Sequence, residues 1–246
     1  MTPLRSAVSA LEAVRDQHAQ RRLLVAFSGG KDSIVCLKLA LRVFGAGHVA
    51  AFHMRIVPGL HCVEEPARRI CDALGVPLRT YADPDAIRAL REGVYCVERK
   101  GIAGALPKYR DVERVALQDA ECEWTALGWR KSDNYSRLFV LRAGLVGPPK
   151  GPQRVFPVGD WKDADILGAL RAWKIQPVPK LCTREGARSS GVSLNPAVLS
   201  QIRRRFPDDY GRIKEVFPHV DAAVFRYEHL GAEPVPERDG GAGSPA

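Results

Sequence analysis

Short apolar runs alternate with longer segments whose apolar residues recur at helical spacing through most of the chain. The runs are typical of buried strands, and the spacing of the longer segments is typical of helices that cover a sheet. Strands are predicted at residues 23–27, 48–54, 77–81 and 122–129. Helices are predicted at residues 4–20, 32–44, 63–74, 84–92, 109–120 and 162–173. This alternation indicates an α/β fold, with a parallel twisted sheet and helices on both of its faces.

The pattern changes towards the C-terminal end. Residues 174–196 have little periodicity and predict a long loop, and the sequence after it predicts short helices at 197–205, 207–215 and 218–229. The end of the chain is rich in Gly, Pro, Glu and Ala, a composition typical of disorder. We therefore expect a main nucleotide-binding domain over residues 1–175, a C-terminal loop and helical region over 176–230 and a disordered tail over 231–246.

A polar loop, SGGKDS at residues 28–33, joins the first predicted strand to the first long helix after it. A glycine-rich turn at a helix N-terminus points several backbone N–H groups at one place, where the helix dipole adds positive charge. Gly29 and Gly30 let a bulky anion approach the backbone. Lys31 adds a full charge, and the flanking serines add hydroxyl donors. The loop is therefore expected to hold phosphate.

Two common phosphate-binding motifs do not fit this loop. A Walker A motif needs four residues between its first glycine and its Gly-Lys pair, and Lys31 here follows two glycines directly. The GxGxxG fingerprint of dinucleotide-binding domains is also absent from this loop. A kinase, a GTPase or a classical dehydrogenase is therefore disfavoured.

The sequence SGGKDS after an apolar strand resembles the PP-loop of the ATP pyrophosphatase superfamily, which has the adenine nucleotide alpha hydrolase-like fold. The resemblance implies ATP binding and cleavage between the α and β phosphates, usually with AMP placed on a substrate oxygen. It also implies that Asp32 lies near a Mg²⁺ ion. The residues implied to hold pyrophosphate are Ser28, Gly29, Gly30, Lys31 and Ser33. Those implied to face the adenine are Phe52, His53 and Met54, at the end of the second strand.

A second segment, GWRKSDNYSR at residues 128–137, resembles the GxRxxExxxR segment of phosphoadenosine phosphosulfate (PAPS) reductase-like proteins. Gly128, Arg130 and Arg137 match that pattern, and Asp133 takes its acidic position. An arginine directly after a strand can reach a phosphate or a transferred anion, with Lys131 assisting. An ordinary basic surface turn is the alternative interpretation.

A third segment, FPVGDWKDADI at residues 156–166, resembles the P-I-x-D-W-x-x-x-D segment that follows in the same proteins. The matching residues are Pro157, Asp160, Trp161 and Asp165. Asp160 is expected to cap the helix that follows, which would make its role structural. The three motifs occur in the family's order and span residues 22–170.

The chain departs from these relatives in its cysteines. The reductases carry a reactive C-terminal cysteine, and no cysteine follows Cys182 here. A related branch holds an iron–sulfur cluster with a segment like R-x-x-G-C-x-x-C-P, where this chain reads RSSGVSLNP at 188–196, with Val192 and Asn195 at the cysteine positions. Neither an iron–sulfur site nor a reductase thiol is therefore expected.

The other cysteines are scattered, with no CxxC pair. We expect Cys36 and Cys71, which lie on apolar helix faces, to be core residues. Cys62, Cys96 and Cys182 fall in predicted loops and could meet in space. Cys182 is then the first candidate if the activity depends on a thiol.

The composition indicates where in the cell the protein acts and which kinds of partner it has. The 246 residues are 46% hydrophobic, and no apolar run approaches the ~20 residues of a membrane span. The N-terminal segment reads as an amphipathic helix and not as an export signal, so we expect a cytoplasmic protein without a membrane partner. A net charge of +9 fits either a solvated basic surface or a polyanionic partner such as DNA or RNA. Arg203, Arg204 and Arg205 form a basic run with the same two interpretations.

The motifs together predict an enzyme that binds ATP and Mg²⁺ and adenylylates a second substrate, in nucleic-acid modification or in sulfur metabolism. Its predicted catalytic residues are Lys31, Asp32, Arg130 and Arg137. One alternative is a non-catalytic subunit that binds a nucleotide or a nucleic acid, and another is a sulfonucleotide reductase. The chain is expected to act as a homodimer or with a partner subunit.

Overall fold

The computed structural model describes residues 2–17, 22–98, 104–147, 153–177 and 192–230. Over these residues the strands are β1 (Leu23–Ala26), β2 (Val49–Arg55), β3 (Leu78–Ala82), β4 (Trp124–Ala126) and β5 (Arg154–Val155). They form one five-stranded sheet in the order β3-β2-β1-β4-β5. All of its strand pairings are parallel, as the sequence predicted.

Helices fill the segments between and after the strands. Before β5 they are α1 (Pro3–Asp16), α2 (Lys31–Phe44), α3 (Glu64–Ala73), α4 (Pro84–Glu92), α5 (Tyr109–Asp119) and α6 (Tyr135–Val140). After β5 they are α7 (Asp163–Trp173), α8 (Pro196–Arg205), α9 (Pro207–Val216) and α10 (Val220–His229). Short 3₁₀ turns follow α2 and α6, at Ala46–His48 and Leu141–Ala143. Every helix that the sequence predicted is present, whereas α6 and β5 were not predicted.

Successive residues of β1 alternate between the two faces of the sheet. Leu23 and Val25 are fully buried in a cluster with apolar residues of α1, α2, α3 and α7. Leu24 lies on the opposite face, in a cluster with Ala116 of α5. The sheet is therefore buried on both faces, which explains why its strands read as continuous apolar runs.

The strand order reverses direction between β1 and β4. The chain runs outward from β1 to β2 and β3, then returns to the other side of β1 as β4. Leu23 of β1 pairs with Trp124 of β4, so the two strands end side by side. In open parallel sheets, ligands bind at the carboxyl ends of the strands where the order reverses. Residues directly after β1 and β4 are therefore in position to form a site.

A second apolar cluster joins the C-terminal helices to the loop between β2 and α3. Val57 and Leu60 of that loop pack with residues of α4, α8, α9 and α10. Asp209 of α9 is 1% exposed. Its carboxylate accepts hydrogen bonds from the backbone N–H groups of His61, at 2.9 Å, and Cys62, at 2.7 Å. The start of α9 is thus fixed to the region beside the sheet.

Several predictions about the C-terminal part fall outside the described residues. These concern residues 178–191 of the predicted loop, including Cys182, and the tail at 231–246. The division into domains therefore stays a prediction. No helix of the described part is long and apolar enough to cross a membrane.

The basic run at the end of α8 is largely paired within the protein. Arg203 and Arg204 form ion pairs with Glu228 of α10, whose carboxylate also accepts a hydrogen bond of 2.6 Å from Ser200. The guanidinium of Arg205 lies 5.4 Å from the centre of a neighbouring phenylalanine ring. These contacts favour a structural role for the run over a phosphate contact.

Candidate active site

The loop between β1 and α2 is the tight turn that the sequence predicted. Gly29 has a φ of 73°, in the left-handed region that glycine adopts without strain. The hydroxyl of Ser33 donates to the carbonyl oxygen of Gly30 at 2.9 Å, and the N–H of Gly30 donates to the Ser28 hydroxyl at 3.3 Å. These bonds fold the loop back onto the start of α2.

The N-terminus of α2 is left open for a ligand. Its N-cap residue is Gly30, which has no side chain to cap the helix. The first N–H groups of a helix lack partners within the helix and carry partial positive charge. The backbone N–H groups at the start of α2 are therefore potential donors to a ligand at the loop, where the sequence predicted a phosphate.

Gly128, two residues after β4, makes the closest approach to this loop. A Cβ atom built there would lie 3.0 Å from the carbonyl carbon of Asp32 and 3.0 Å from the backbone nitrogen of Ser33. Real Cβ atoms are rarely that close to backbone. Glycine at 128 therefore allows the end of β4 to lie against the first turn of α2.

Arg130 extends from this junction into the site and is only 4% exposed. Its Nη1 donates to Asp163 at 3.0 Å, and its Nη2 lies 3.1 Å from Asp133. Its Nε lies 2.9 Å from Asp32, but the N–H is not aligned for a hydrogen bond with any acceptor in the described residues. Three carboxylates thus surround the buried guanidinium and fix its position at the start of α2.

Lys31 shares a carboxylate partner with Arg130. Its ammonium donates to Asp163 at 2.8 Å and to the two carboxylate oxygens of Asp32 at 3.0 and 3.1 Å. The hydrogen bond from Lys31 lowers the pKa of Asp163, with the nearby Arg130 charge acting in the same direction. Two cations, from separate parts of the chain, thus meet at the N-terminus of α2.

Asp163 is a site residue that sequence reasoning missed. It lies inside the third motif but is not one of the motif's matching residues, so no family pattern drew attention to it. The prediction that Asp160 caps α7 was wrong. The helix begins at Asp163, and the backbone N–H of Lys162 donates to Asp165 at 2.8 Å. Asp160 instead forms an ion pair with Lys131 at 2.6 Å.

Arg137 contacts the site indirectly, through Asp133. It forms an ion pair with Asp133, and its guanidinium lies 5.1 Å from the ring centre of Trp129. Trp129 in turn stacks on Phe156 with ring centres 5.7 Å apart. Arg137 thus supports Asp133, which holds Arg130, and a catalytic role for Arg137 stays a prediction.

The chain has relatives among known proteins. No protein-family model matches the chain. The chain is 29% identical over 171 residues to a tRNA(Ile)-lysidine synthase of Aromatoleum aromaticum, covering 64% of this chain and 38% of that protein. It is 29% identical over 193 residues to sulfate adenylyltransferase subunit 2 of Mycobacterium bovis, covering 68% and 60%. These relatives are members of the PP-loop ATP pyrophosphatase superfamily, which the SGGKDS motif of this chain resembles.

The parallel sheet agrees with the fold that the resemblance implied. Assignment of residues 28–33 as a PP-loop rests on the SGGKDS motif and its place between β1 and α2. An NH3-dependent NAD synthetase of Campylobacter jejuni superposes with a TM-score of 0.47 at 12% identity, covering 94% of this chain and 96% of that one. The chain spans less than two thirds of the length of both curated relatives. Assignment to the PAPS reductase-like group rests on the second and third motifs.

The end of β2 lies beside the PP-loop. His53 is buried, and its Nδ1 lies 2.9 Å from the carbonyl oxygen of Phe27, the residue before the loop. Burial lowers the pKa of His53, so its ring is neutral near pH 7 and supports the backbone. The side chain of Phe52 packs edge-on against Tyr81, and Met54 is half-buried. Adenine contact by this strand end stays a prediction.

Four of the five described cysteines are buried. Cys36 and Cys71 are fully buried in the main core, as predicted. Burial raises the pKa of Cys62 and raises that of Cys71 to about 12, so both stay protonated near neutral pH. Cys62 and Cys96 both border the second apolar cluster. Their predicted meeting with Cys182 lies outside the described residues.

The two positions compared with cluster cysteines have structural contacts here. Val192 packs against the second apolar cluster. The Asn195 side chain accepts a hydrogen bond of 2.9 Å from the N–H of Ala197 and caps α8. These residues therefore help to begin the C-terminal helices.

Proposed function

We propose that this chain binds Mg·ATP at the PP-loop, cleaves the bond between the α and β phosphates and transfers AMP to a second substrate. One observation carries the proposal: Lys31 and the buried Arg130 converge on the same carboxylate at the open N-terminus of α2. Such a cluster of donors suits the two phosphates that leave as pyrophosphate. That the cleaved bond is the one between the α and β phosphates is inferred from the resemblance to the PP-loop superfamily.

In the transfer step, a carbonyl or phosphate-type oxygen of the acceptor attacks the α-phosphorus. The bond from that phosphorus to the α–β bridging oxygen breaks, and its electron pair leaves with pyrophosphate. Lys31, Arg130 and the loop amides stabilise the charge that develops on the leaving group. The products are the adenylylated acceptor and pyrophosphate, and a later nucleophile displaces AMP.

Mg²⁺ would enter this site with the nucleotide. Magnesium is commonly held by one or two carboxylates together with substrate phosphates. The described residues contain no group of three or more side chains that would hold a metal by themselves. Asp32 is 27% exposed and lies at the start of α2, so its carboxylate fits the role of a single protein ligand. The ion would neutralise phosphate charge.

Two acceptor classes fit the relatives. One relative is named for a lysidine modification of tRNA, which supports an acceptor in nucleic acid. The other is named as a subunit of sulfate adenylyltransferase, which supports a small sulfur-containing acceptor and a partner subunit. Because the chain matches only part of each relative, we treat both acceptors as open alternatives within the proposal.

A non-catalytic nucleotide-binding subunit is the second candidate. The structural contacts of Val192 and Asn195, at positions where related proteins are expected to hold a cluster, favour it. Lys31 and Arg130 would serve ATP binding in both candidates, so turnover of ATP is what separates them.

The test uses purified protein, Mg²⁺ and ATP labelled at either the α or the γ phosphate. Total RNA, duplex DNA and a small-metabolite extract are added in turn, with Lys31→Ala as the comparison. We expect labelled pyrophosphate from the γ label and labelled AMP from the α label, in the presence of one acceptor class and only with Lys31. Release of γ label as free phosphate would exclude the proposed cleavage. ATP binding without turnover in any extract would favour the non-catalytic subunit.

A further inference from the structure

Helix α6 exposes the side of the helix that would normally be buried. Tyr135, Leu138 and Phe139 recur at the spacing that places an apolar stripe on one helix face, which usually packs into a core. Instead, Tyr135 is 90% exposed, Phe139 74%, Val140 46% and Leu138 38%. We refer to the side chains of Tyr135, Leu138 and Phe139 as the α6 face. Among the described residues, nothing covers it.

The orientation of α6 is fixed by other residues. Arg137 turns inward, where it pairs with Asp133 and lies over the ring of Trp129. Leu141, directly after the helix, is fully buried against Phe156. The α6 face is therefore exposed on a helix that is anchored on its other side, and not on a loosely attached segment.

The segment that contains α6 carries positive charge. From residue 134 to residue 147 the chain contains arginines and no acidic residue. Arg142 is exposed and follows the face directly. The acidic residue that precedes α6 most closely in the sequence is Asp133. Its side chain is only 13% exposed and forms ion pairs with Arg130 and Arg137. An anionic partner would thus meet no exposed carboxylate on this segment.

We propose that the α6 face binds single-stranded nucleic acid, with bases stacked on Tyr135 and Phe139 and the phosphate backbone near Arg142. Exposed aromatic rings beside basic side chains are the usual means of holding unpaired bases. A duplex would keep its bases stacked on one another and away from both rings. The net charge of +9 for the chain adds a general attraction for a polyanion.

The position of the face links it to the active site. Tyr135 follows Arg130 by one short turn, and the Arg137–Asp133–Arg130 contacts connect α6 to the site. A strand on the α6 face would lie beside the PP-loop and would be the acceptor in the transfer. That identification of the acceptor rests on the proposed function, whereas the binding of the strand does not.

Binding is measured without ATP, by fluorescence anisotropy of a fluorescein-labelled oligothymidylate of about 20 nucleotides, longer than typical single-strand sites. Tyr135→Ala and Phe139→Ala are compared with Phe225→Ala, a control on α10 whose ring is 55% exposed. We expect each α6 variant to bind about tenfold more weakly, as the loss of one stacked base implies. The control should bind like the unchanged protein, and a duplex of the same length should bind more weakly.

Several results would overturn the inference. Equal binding by Phe139→Ala and the unchanged protein would exclude the α6 face as the binding surface. No binding of the strand, together with a dimer in sedimentation that Phe139→Ala dissociates, would make the face a protein interface. Strand binding at the α6 face without pyrophosphate release, with ATP and Mg²⁺ present, would support the binding surface and exclude that strand as the acceptor, while the proposed function would keep its small-molecule acceptor. Pyrophosphate release that needs RNA or DNA but not Phe139 would exclude the bound strand as acceptor.

Discussion

Lys31 and Asp163 are joined by a hydrogen bond of 2.8 Å although they are 132 positions apart in the sequence. The same carboxylate oxygen accepts from Arg130 at 3.0 Å. Asp163 thus bridges the two cations at the start of α2. Its side chain is 69% exposed, so an incoming anion can displace it without moving buried groups.

Replacing Asp163 with Asn should increase the affinity for pyrophosphate, because the anion no longer competes with a carboxylate. An exposed ion pair contributes roughly 0.2–1 kcal/mol, so we expect tighter binding by about two- to fivefold. Isothermal titration at low salt, without Mg²⁺, measures this. Asp160→Asn removes a neighbouring charge that pairs with Lys131 and serves as the control. Weaker binding by Asp163→Asn would show that the carboxylate assists the ligand.

Replacing Gly128 with Ala should disturb the PP-loop. The new Cβ would lie 3.0 Å from backbone atoms of Asp32 and Ser33, so the first turn of α2 or the end of β4 must shift. We expect ATP binding to weaken by about tenfold or more, as the loss of one or two charge-assisted hydrogen bonds implies. Gly168→Ala, with no atom near its Cβ, is the control and should stabilise α7 by about 0.5–1 kcal/mol. Unchanged ATP affinity in Gly128→Ala would contradict the close packing.

Glu228 should make the stability depend on pH. Its hydrogen bond from Ser200, followed by the charges of Arg203 and Arg204, lowers its pKa from the ordinary value of 4.5. A lowered pKa in the folded state gives stability that is present above 4.5 and is lost as the pH falls through the folded value. Glu228→Gln should therefore lower the free energy of unfolding by about 1–3 kcal/mol at pH 7.

Urea denaturation at several pH values measures the effect of Glu228. The difference between Glu228→Gln and the unchanged protein should be the same at pH 7 and pH 5, and should shrink below pH 4.5. Glu215→Gln, at an exposed position on α9, is the control. A difference that grows as the pH falls would contradict the assigned role.

Asp209 should be needed to hold the loop before α3. Its buried carboxylate accepts two backbone N–H groups, and an amide in its place can accept only with one oxygen. Leaving a buried N–H unpaired costs about 1–3 kcal/mol, which is the loss of stability expected for Asp209→Asn. Asp208→Asn, on the exposed side of α9, should be close to neutral. Faster hydrogen exchange at His61 and Cys62 would locate the effect.

The strands, the main helices and the PP-loop could be predicted because each depends on a local pattern. Leu23 to Phe27 reads as a buried strand, and Gly29 has the positive φ that a tight turn requires. The SGGKDS loop and the segment that contains Gly128 are short enough to be compared directly with the motifs of PAPS reductase-like proteins. These features needed no knowledge of contacts between distant residues.

Asp163 and α6 could not be predicted for different physical reasons. Asp163 reaches Lys31 only because α7 begins beside α2, a packing relation that no local pattern contains. Helix α6 has six residues, too few for a clear periodicity, and its apolar stripe faces outward against the usual rule. The two residues of β5 are likewise too few to read as a strand.

The central claim is that Lys31 and Arg130 hold one anion together, and a double-mutant cycle on pyrophosphate affinity tests it most directly. Lys31→Gln, Arg130→Gln and the double variant are titrated beside Arg171→Gln, an exposed charge on α7 that controls for net charge. We predict a loss of about tenfold or more for each single variant, and a double variant that differs from their sum by more than about 0.5 kcal/mol. Pyrophosphate affinity that neither substitution changes, in variants that stay folded, would contradict the account.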